Sequence, residues 1–336
     1  MTLLLNNPST LPCTEGALRP GRYAAIDIGT VTCRMLVADV DEEGKLHELR
    51  REYAITNLGE GVDATGVLKP EAMRRVADVV ARYQEIVRDD APIDGSEITV
   101  VAIATSASRD AANASEFVEM LADLGITLSV IPGEREAALS FSGASCDFTN
   151  ENLLVVDIGG GSTEVIAGSG GGQPAHMHSF NIGCRRVTEK FFAADPPSAN
   201  ELAQSRAWVK ESMAPFFEEL RVAGFVPRRL VAVAGTATSV VSVREHMKTY
   251  DTTRVHKAIV TFEQLDQIYD QLAALPLGER KCVVGLDPGR APVIIAGLII
   301  LQVVLDLASV DSFTVSESDI LQGIILSVAA NSSRAK

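Results

Sequence analysis

A chain of 336 residues with 46% hydrophobic content can bury more than one core, and at about 100 to 200 residues per domain it predicts two. The formal charge of −14 excludes general nucleic-acid binding, which depends on a broad basic surface to displace counterions; an anionic ligand must be held locally, by backbone amides, a few arginines or metal. Cys13, Cys33, Cys146, Cys184 and Cys282 form no C-x-x-C pair, which excludes the common zinc and redox motifs and predicts reduced thiols in a cytoplasmic protein.

Residues 1–20 have no basic residue before Arg19, and their apolar run stops after Leu5, so they read as a disordered tail rather than a secretory signal. Tyr23 to Asp27, Arg34 to Val40 and Lys45 to Tyr53 then read as a meander of three strands, turning at Gly29 and at Asp41 to Gly44. Pro70 to Arg88 has helical apolar spacing, Glu97 to Ala102 reads as a buried strand, Asp110 to Leu124 as a helix and Thr127 to Ile131 as a strand. The alternation predicts an α/β class.

The pattern then restarts. Leu153 to Asp157, Thr163 to Gly168 and Ala175 to Ile182 read as strands, and the first ends in Asp157-Ile-Gly159 as the earlier one ends in Asp27-Ile-Gly29, which predicts an internal duplication. Helices follow at Cys184 to Phe192 and Ala199 to Ala223, then a strand Arg229 to Val233 and a helix opened by Gly235-Thr236. Helices Phe262 to Leu272 and Pro292 to Leu307, a strand Ser312 to Val315 and a helix Asp319 to Ala330 complete the chain. Ala291 to Val310 is the most apolar stretch, but Gly297, Gln302 and Asp306 interrupt it, so a core helix is expected rather than a membrane span.

Each Asp-x-Gly ends a buried strand at a sharp turn, where backbone N–H groups can gather around phosphate oxygens and glycine allows close approach. In Asp157-Ile-Gly159-Gly160-Gly161-Ser162-Thr163-Glu164, three glycines and two hydroxyls between two carboxylates make that reading specific. The first turn, with Gly29, Thr30 and Thr32, reads equally as a plain turn or a phosphate loop. Gly235-Thr236 reads either as an anion site at a helix N-terminus or as an N-cap by Thr236. Walker and dinucleotide fingerprints are absent. His176 and His178 share a strand face but have no third ligand near in sequence, and read as surface histidines. Arg185, Arg186 and Lys190 open a helix, as a guide for a polyanion or as a solvated face.

Taken together, AAIDIGTVTCRMLVAD (24–39), ATSASRDAANASEF (104–117), IPGEREAALSFSGA (131–144), VVDIGGGSTEV (155–165), AGTATS (234–239), GRAPVIIAG (289–297) and VSESDILQGI (315–324) resemble the exopolyphosphatase and guanosine pentaphosphate phosphatase family, within the sugar kinase, heat-shock chaperone and actin superfamily. The resemblance runs from about Tyr23 to Ile325. It implies two actin-like, ribonuclease H-like domains flanking an interdomain cleft, expected here as 21–132 and 133–325, with a C-terminal helix of about 326–336 returning to the first. It implies the short form, without the C-terminal His-Asp phosphohydrolase-like domain of longer members.

The resemblance also implies roles. Glu136 matches the catalytic glutamate, Asp157 and Glu164 the acidic positions, Arg109 an arginine on phosphate, and Gly159 to Thr163 the phosphate loop. Gly29, Thr30, Thr32, Arg34, Gly235 and Thr236 complete the expected phosphate contacts, and Asp157, Asp27 and Glu164 are the candidate ligands of Mg²⁺ or Mn²⁺. The chain departs from the family in carrying Val31 where an asparagine is usual, and in Arg135, which either tunes Glu136 or contacts phosphate.

The expected activity is exopolyphosphatase, with guanosine pentaphosphate hydrolysis, a non-catalytic alarmone or polyphosphate sensor, and an ATP-using kinase or chaperone as alternatives. Inorganic polyphosphate or guanosine pentaphosphate is the expected partner, with no nucleic acid and no membrane, and a homodimer built on the apolar C-terminal helices.

Overall fold

The computed structural model describes residues 18–92 and 96–332, the side chains of 331 and 332 excepted. Most of the expected tail, 1–17, lies outside the described residues. Residues 18–20 belong to the fold: Leu18 packs on the first core, the Arg19 N–H donates to the Ala329 carbonyl, and the Tyr23 hydroxyl donates to the Arg19 carbonyl.

The first sheet begins with β1 (Gly21–Ile28), β2 (Thr32–Val40) and β3 (Leu46–Ile55), an antiparallel meander. After α1 (Val62–Thr65) and α2 (Pro70–Asp89) come β4 (Thr99–Ala104), α3 (Ser106–Asp110), α4 (Ala114–Asp123), β5 (Leu128–Val130) and α5 (Gly133–Ser145). β4 and β5 add in parallel, in the order β3-β2-β1-β4-β5.

Alternation along β1 and β2 gives the sheet two buried faces. Ile26, Ile28, Met35 and Val37 meet Val76, Val80 and Tyr83 of α2 and Phe117 and Leu121 of α4. On the other face, Ala25, Leu36 and Ile103 meet Leu139 of α5 and Leu321, Ile324 and Val328 of the C-terminal helix. Pro70 starts α2 where its missing N–H costs nothing. The helix expected over Asp110 to Leu124 is divided into α3 and α4. The Asn113 side chain both accepts from Leu68 N–H (2.8 Å) and donates to Leu68 carbonyl (3.0 Å), and Ala111 is extended.

The second sheet repeats the plan. It starts with β6 (Asn152–Ile158), β7 (Thr163–Ser169) and β8 (Pro174–Phe180), followed by α6 (Cys184–Phe191) and α7 (Ala199–Val222). Next come β9 (Arg229–Val233), α8 (Ala234–Arg244), α9 (Thr252–Val255), β10 (Ile259–Thr261) and α10 (Phe262–Ala273). α11 (Leu277–Arg280), α12 (Ile294–Ala308) and β11 (Ser312–Val315) lead to α13 (Ile320–Ser332). The order β10-β11-β9-β6-β7-β8 places β6, β7, β8 and β9 as the counterparts of β1, β2, β3 and β4, with β11 in the position of β5 and β10 added at the edge.

α12 is the expected core helix. Every residue from Ile294 to Leu305 is buried, and the polar interruptions have partners: Gln302 donates to Asp266 (2.8 Å) and accepts from Arg206, and Asp306 pairs with Lys210 (2.6 Å). Among the described residues no helix is long and apolar enough to cross a membrane. The apolar residues of α13 pack on the first sheet, and those of α12 are buried within the second unit among α6, α7, α8 and α10.

Contacts divide the chain into two units. The first holds the residues up to Gly143, Gly171–Gln173 and those from Asp319 onward; the second holds Ala144–Gly170 and Pro174–Ser318. Sequence placed the divisions near 132 and 325. They fall later and earlier because α5 and α13 pack as a pair on the first sheet: an added Cβ on Gly143 would lie 1.8 Å from the Asp319 carbonyl oxygen, and one on Gly323 2.0 Å from that of Leu139. Backbone cannot yield as a flexible side chain does. Gly143→Ala is expected to destabilise by about 3 kcal/mol, the upper end for overpacking. Gly278→Ala, with nothing within 4 Å of its Cβ, should stay within about 0.5 kcal/mol of wild type. Urea unfolding of both variants checks the difference.

Candidate functional site

In the first unit, Asp27 ends β1 and lies directly opposite Arg34 on β2. It is 4% exposed, and its Oδ2 accepts from Arg34 Nη2 (2.6 Å) and Nε (3.2 Å). Arg34 Nη1 donates to Asp319, at the start of α13. Asp27 Oδ1 is buried without a hydrogen-bond partner. Burial pushes the Asp27 carboxyl above the ordinary range, against the opposing pull of Arg34.

The turn after Asp27 is closed by the Gly29 N–H donating to the Thr32 carbonyl (2.9 Å). The Thr30 carbonyl accepts from Gly59 N–H, and the Val31 carbonyl from Thr56 and Asn57 N–H. Because a trans peptide sets its C=O and N–H in opposite directions, the N–H groups of Val31 and Thr32 face away from residues 56–59. The Val31 side chain itself is buried, 5% exposed, so it packs below the turn.

The expected base and phosphate arginine come together. Arg109 Nη1, at the end of α3, donates to Glu136 Oε2 (3.1 Å) and to the Ile131 carbonyl (3.0 Å). Glu136 sits in the first turn of α5, where the helix dipole favours an acid. Its neighbour Arg135 is 5% exposed and donates to Ser327 on α13 (2.9 Å).

In the second unit the same register recurs. Ile158 pairs with Thr163 and Asp157 with Glu164, leaving 159–162 as the turn, just as Ile28 pairs with Cys33 and Asp27 with Arg34, leaving 29–32. Gly159 N–H donates to the Ser162 carbonyl (3.0 Å), the twin of the Gly29 bond. Where the first repeat sets an arginine across from its aspartate, the second sets Glu164, 1% exposed and accepting from Ser179 (2.7 Å). Two buried carboxylates side by side are unfavourable without positive charge close by.

The start of α6 holds this turn from behind. Cys184 N–H donates to the Gly159 carbonyl (3.0 Å), Arg185 and Arg186 N–H to that of Gly160 (2.9 and 3.2 Å), and Arg186 Nε to that of Gly161 (3.0 Å). The N–H groups of Gly160, Gly161 and Ser162 therefore point away from α6, and no acceptor meets them among the described residues. Gly183 permits the approach: a Cβ there would lie 2.3 Å from the Gly160 carbonyl carbon. Thr163, an expected phosphate contact, is fully buried with its hydroxyl donating to the Ile182 carbonyl, so it frames the turn instead.

At the third turn, Ala234 adopts φ 63, a strained left-handed conformation for a residue with a side chain. The N-cap of α8 is Val233, without a side-chain cap, which overturns the N-cap reading of Thr236. Thr236 is 2% exposed and packs on Gly297 of α12. Gly235 underlies the Arg290 guanidinium so closely that a Cβ would fall 1.4 Å from Nη1.

The basic cluster on α6 is already engaged: Arg185 pairs with Glu189 (3.0 Å), Arg186 bonds Gly161, and Lys190 lies 4.7 Å from the Trp208 ring centroid. His178 is exposed and packs against Phe180 with the rings tilted, centroids 4.4 Å apart, in keeping with a surface histidine.

Asp27, Arg34, Arg109 and Glu136 thus lie in the first unit, with Asp157, Glu164, the 159–162 turn and Gly235 in the second. Among the described residues no three His, Cys, Asp or Glu side chains form a metal-holding group. Magnesium asks for less, since it is bound through one or two carboxylates with phosphate oxygens and water completing the shell. In the second unit the Asp157–Glu164 pair fits that demand, and in the first the partnerless Asp27 Oδ1 is a separate candidate ligand. Asp319, Arg290 and Gly183 give no local signal of their place beside the candidate residues. The first two stand inside the motif stretches 315–324 and 289–297, but their partners are remote: Arg34 and Asp319 are 285 residues apart.

The family model for the Ppx/GppA phosphatase family matches residues 36–332. The chain is 36% identical over 323 residues to exopolyphosphatase 2 of Mycobacterium tuberculosis, covering 92% of this chain and 98% of that protein. Among solved structures, an exopolyphosphatase from Cytophaga hutchinsonii superposes with a TM-score of 0.83 at 25% identity, covering 93% and 98% of the two chains. The Aquifex aeolicus Ppx/GppA family member superposes with a TM-score of 0.75 at 28% identity, covering 93% and 99%.

The raised Asp27 carboxyl makes a pH prediction. The folded protein binds this proton more tightly than the unfolded chain, so its contribution to stability is lost as pH rises from the usual carboxylate range through the folded value. Asp27→Asn removes the titration, and relative to wild type the variant should gain stability over that rise. Urea unfolding at a series of pH values measures this, and a pH-independent difference between the two proteins would contradict it.

Proposed function

The chain belongs to the Ppx/GppA phosphatase family, and on that premise we propose that it is an exopolyphosphatase, releasing terminal phosphate from inorganic polyphosphate by attack of water. The observation that carries the reading is the glycine turn: the N–H groups of Gly160, Gly161 and Ser162, turned outward together without acceptors, suit the oxygens of a phosphate chain.

Phosphoryl transfer to water asks the protein for positioning, charge neutralisation and a proton acceptor, with little covalent work besides. In our reading Glu136, oriented by Arg109, aligns a water and takes its proton as the oxygen attacks the terminal phosphorus. The P–O–P bond opens, orthophosphate leaves, and the remaining chain is one unit shorter. In the first unit Arg109 and Arg34 offer positive charge to phosphate, with the turn at Gly29, Thr30 and Thr32; in the second the turns at Gly159 and Gly235 suit phosphate oxygens, with Ser162 and Arg290 beside them. Mg²⁺ or Mn²⁺, held by Asp157 with Glu164, would supply further neutralisation of phosphate oxygens.

Val31 does not argue for a catalytically silent sensor. It occupies the place of Gly161 in the twin turn, its side chain is buried, and its backbone follows the same pattern. We read the cytoplasm as the compartment, since Cys33, Cys146, Cys184 and Cys282 are free thiols. Guanosine pentaphosphate offers the same terminal bond and is the comparison substrate.

Phosphate release from polyphosphate and from guanosine pentaphosphate, at matched concentrations with Mg²⁺, tests the assignment. Polyphosphate is expected to turn over faster, and chelation by EDTA to abolish release. Glu136→Gln should fold normally and lose about a hundredfold or more in kcat, the scale of a positioned base. Full activity in that variant would remove Glu136 from the mechanism.

A further inference from the structure

We infer that His256, in its neutral form, is a positioning residue for the Gly235 turn, and that protonation of its ring loosens the hold on the phosphate chain. The inference rests on the phosphatase reading above for its kinetic consequence, but not for its geometry.

The geometry starts from a backbone N–H. That of Glu317 donates to His256 Nδ1 at 3.2 Å, and since a backbone N–H only donates, Nδ1 must present its lone pair. The ring proton therefore sits on Nε2, 3.6 Å from Asp147 Oδ2. The same Asp147 carboxylate accepts the Ser318 hydroxyl (2.7 Å) and lies 3.3 Å from Lys257 Nζ. Ser316 and Ser318 close the loop on themselves, the Ser318 N–H donating to Ser316 Oγ at 3.0 Å. His256 and Asp147 thus pin the segment 316–318, at whose end the chain passes from the second unit to the first.

From Glu317 the contacts run to the site. Its carboxylate accepts the Tyr250 hydroxyl, which also bonds the Thr238 side chain. Thr238 stands in the first turns of α8 with its hydroxyl 3.4 Å from the Gly235 carbonyl, and Gly235 carries the Arg290 guanidinium. None of His256, Asp147, Tyr250 or Glu317 is assigned to substrate, so each acts through another group.

A second ring proton has only Nδ1 to occupy. Once there, two donors face each other, and the Glu317 N–H loses its acceptor. The charged or titratable groups around the ring are Asp147 and, beside it, Cys146 from the α5–β6 connection, Lys257 next in sequence, and Glu317 from the β11–α13 connection. Imidazole is the side chain whose ordinary charge change lies nearest neutral pH.

The test combines kinetics with a readout that needs no activity. Hydrogen exchange of the 315–319 amides, corrected for the intrinsic pH dependence, should show protection lost as pH falls through the imidazole titration in wild type, and retained in His256→Asn, whose side-chain oxygen accepts the Glu317 N–H at every pH. In parallel, the KM of wild type for polyphosphate should rise roughly fivefold across the titration, the worth of one hydrogen bond, with kcat changing less. His256→Asn should keep a flat KM, and His256→Ala a raised KM throughout. Exchange and KM that follow pH identically in wild type and His256→Asn would overturn the inference. Protection that depends on His256 in a protein that releases no phosphate would leave the positioning role standing and overturn the phosphatase reading instead.

Discussion

The arrangement on which the candidate site depends is the orientation of three peptide planes. A peptide's carbonyl and N–H point in opposite directions, so whatever holds one decides where the other faces. In the glycine turn, the first amides of α6 hold the Gly159 and Gly160 carbonyls, and the Arg186 side chain holds that of Gly161. The helix is here a fixed support for a loop, its unsatisfied N-terminal donors finding acceptors in backbone rather than in a cap residue or ligand. Gly183, which allows the contact, and Thr163, which ties the turn to Ile182, matter as much to that support as the three glycines do to the surface it presents.

None of the glycines in the two twin turns has a positive φ. Their value is therefore room rather than handedness. At Gly159 a side chain would crowd the Ser162 carbonyl, 3.1 Å from the added Cβ, and at Gly29 the Thr32 carbonyl, 3.2 Å away. In the first repeat residues 56–59 receive the carbonyls of threonine and valine at the two middle positions, and both residues are buried; in the second α6 holds the carbonyls of the two glycines there.

The twin turns part company at the residue opposite the aspartate. Arg34 across from Asp27 makes the first a neutralised pair with a third member, Asp319, from α13. Glu164 across from Asp157 sets two carboxylates side by side in the second. One duplicated frame thus offers two electrostatic environments, and both bury charge at a cost that a hydrophobic pair would not carry. Such residues are kept for chemistry rather than stability.

Much of this was legible in the residue order. Apolar alternation, helical spacing and the repeated Asp-Ile-Gly are local signals, and they located nearly every long element, the duplication and both turns within a few residues, because each is decided by neighbours along the chain. Among elements of three or four residues, β5 and β11 were legible as apolar runs, but α1, α9, β10 and α11 escaped, since so short a segment has no period. What sequence could not decide was pairing over distance. Arg135 turned toward Ser327, Arg290 came to rest on Gly235, Asp319 reached Arg34, and α5 joined α13 through Gly143 and Gly323. These follow from which surfaces meet when distant helices bury their apolar faces on a common sheet, a choice made by the whole of the packing and written in no single stretch of it.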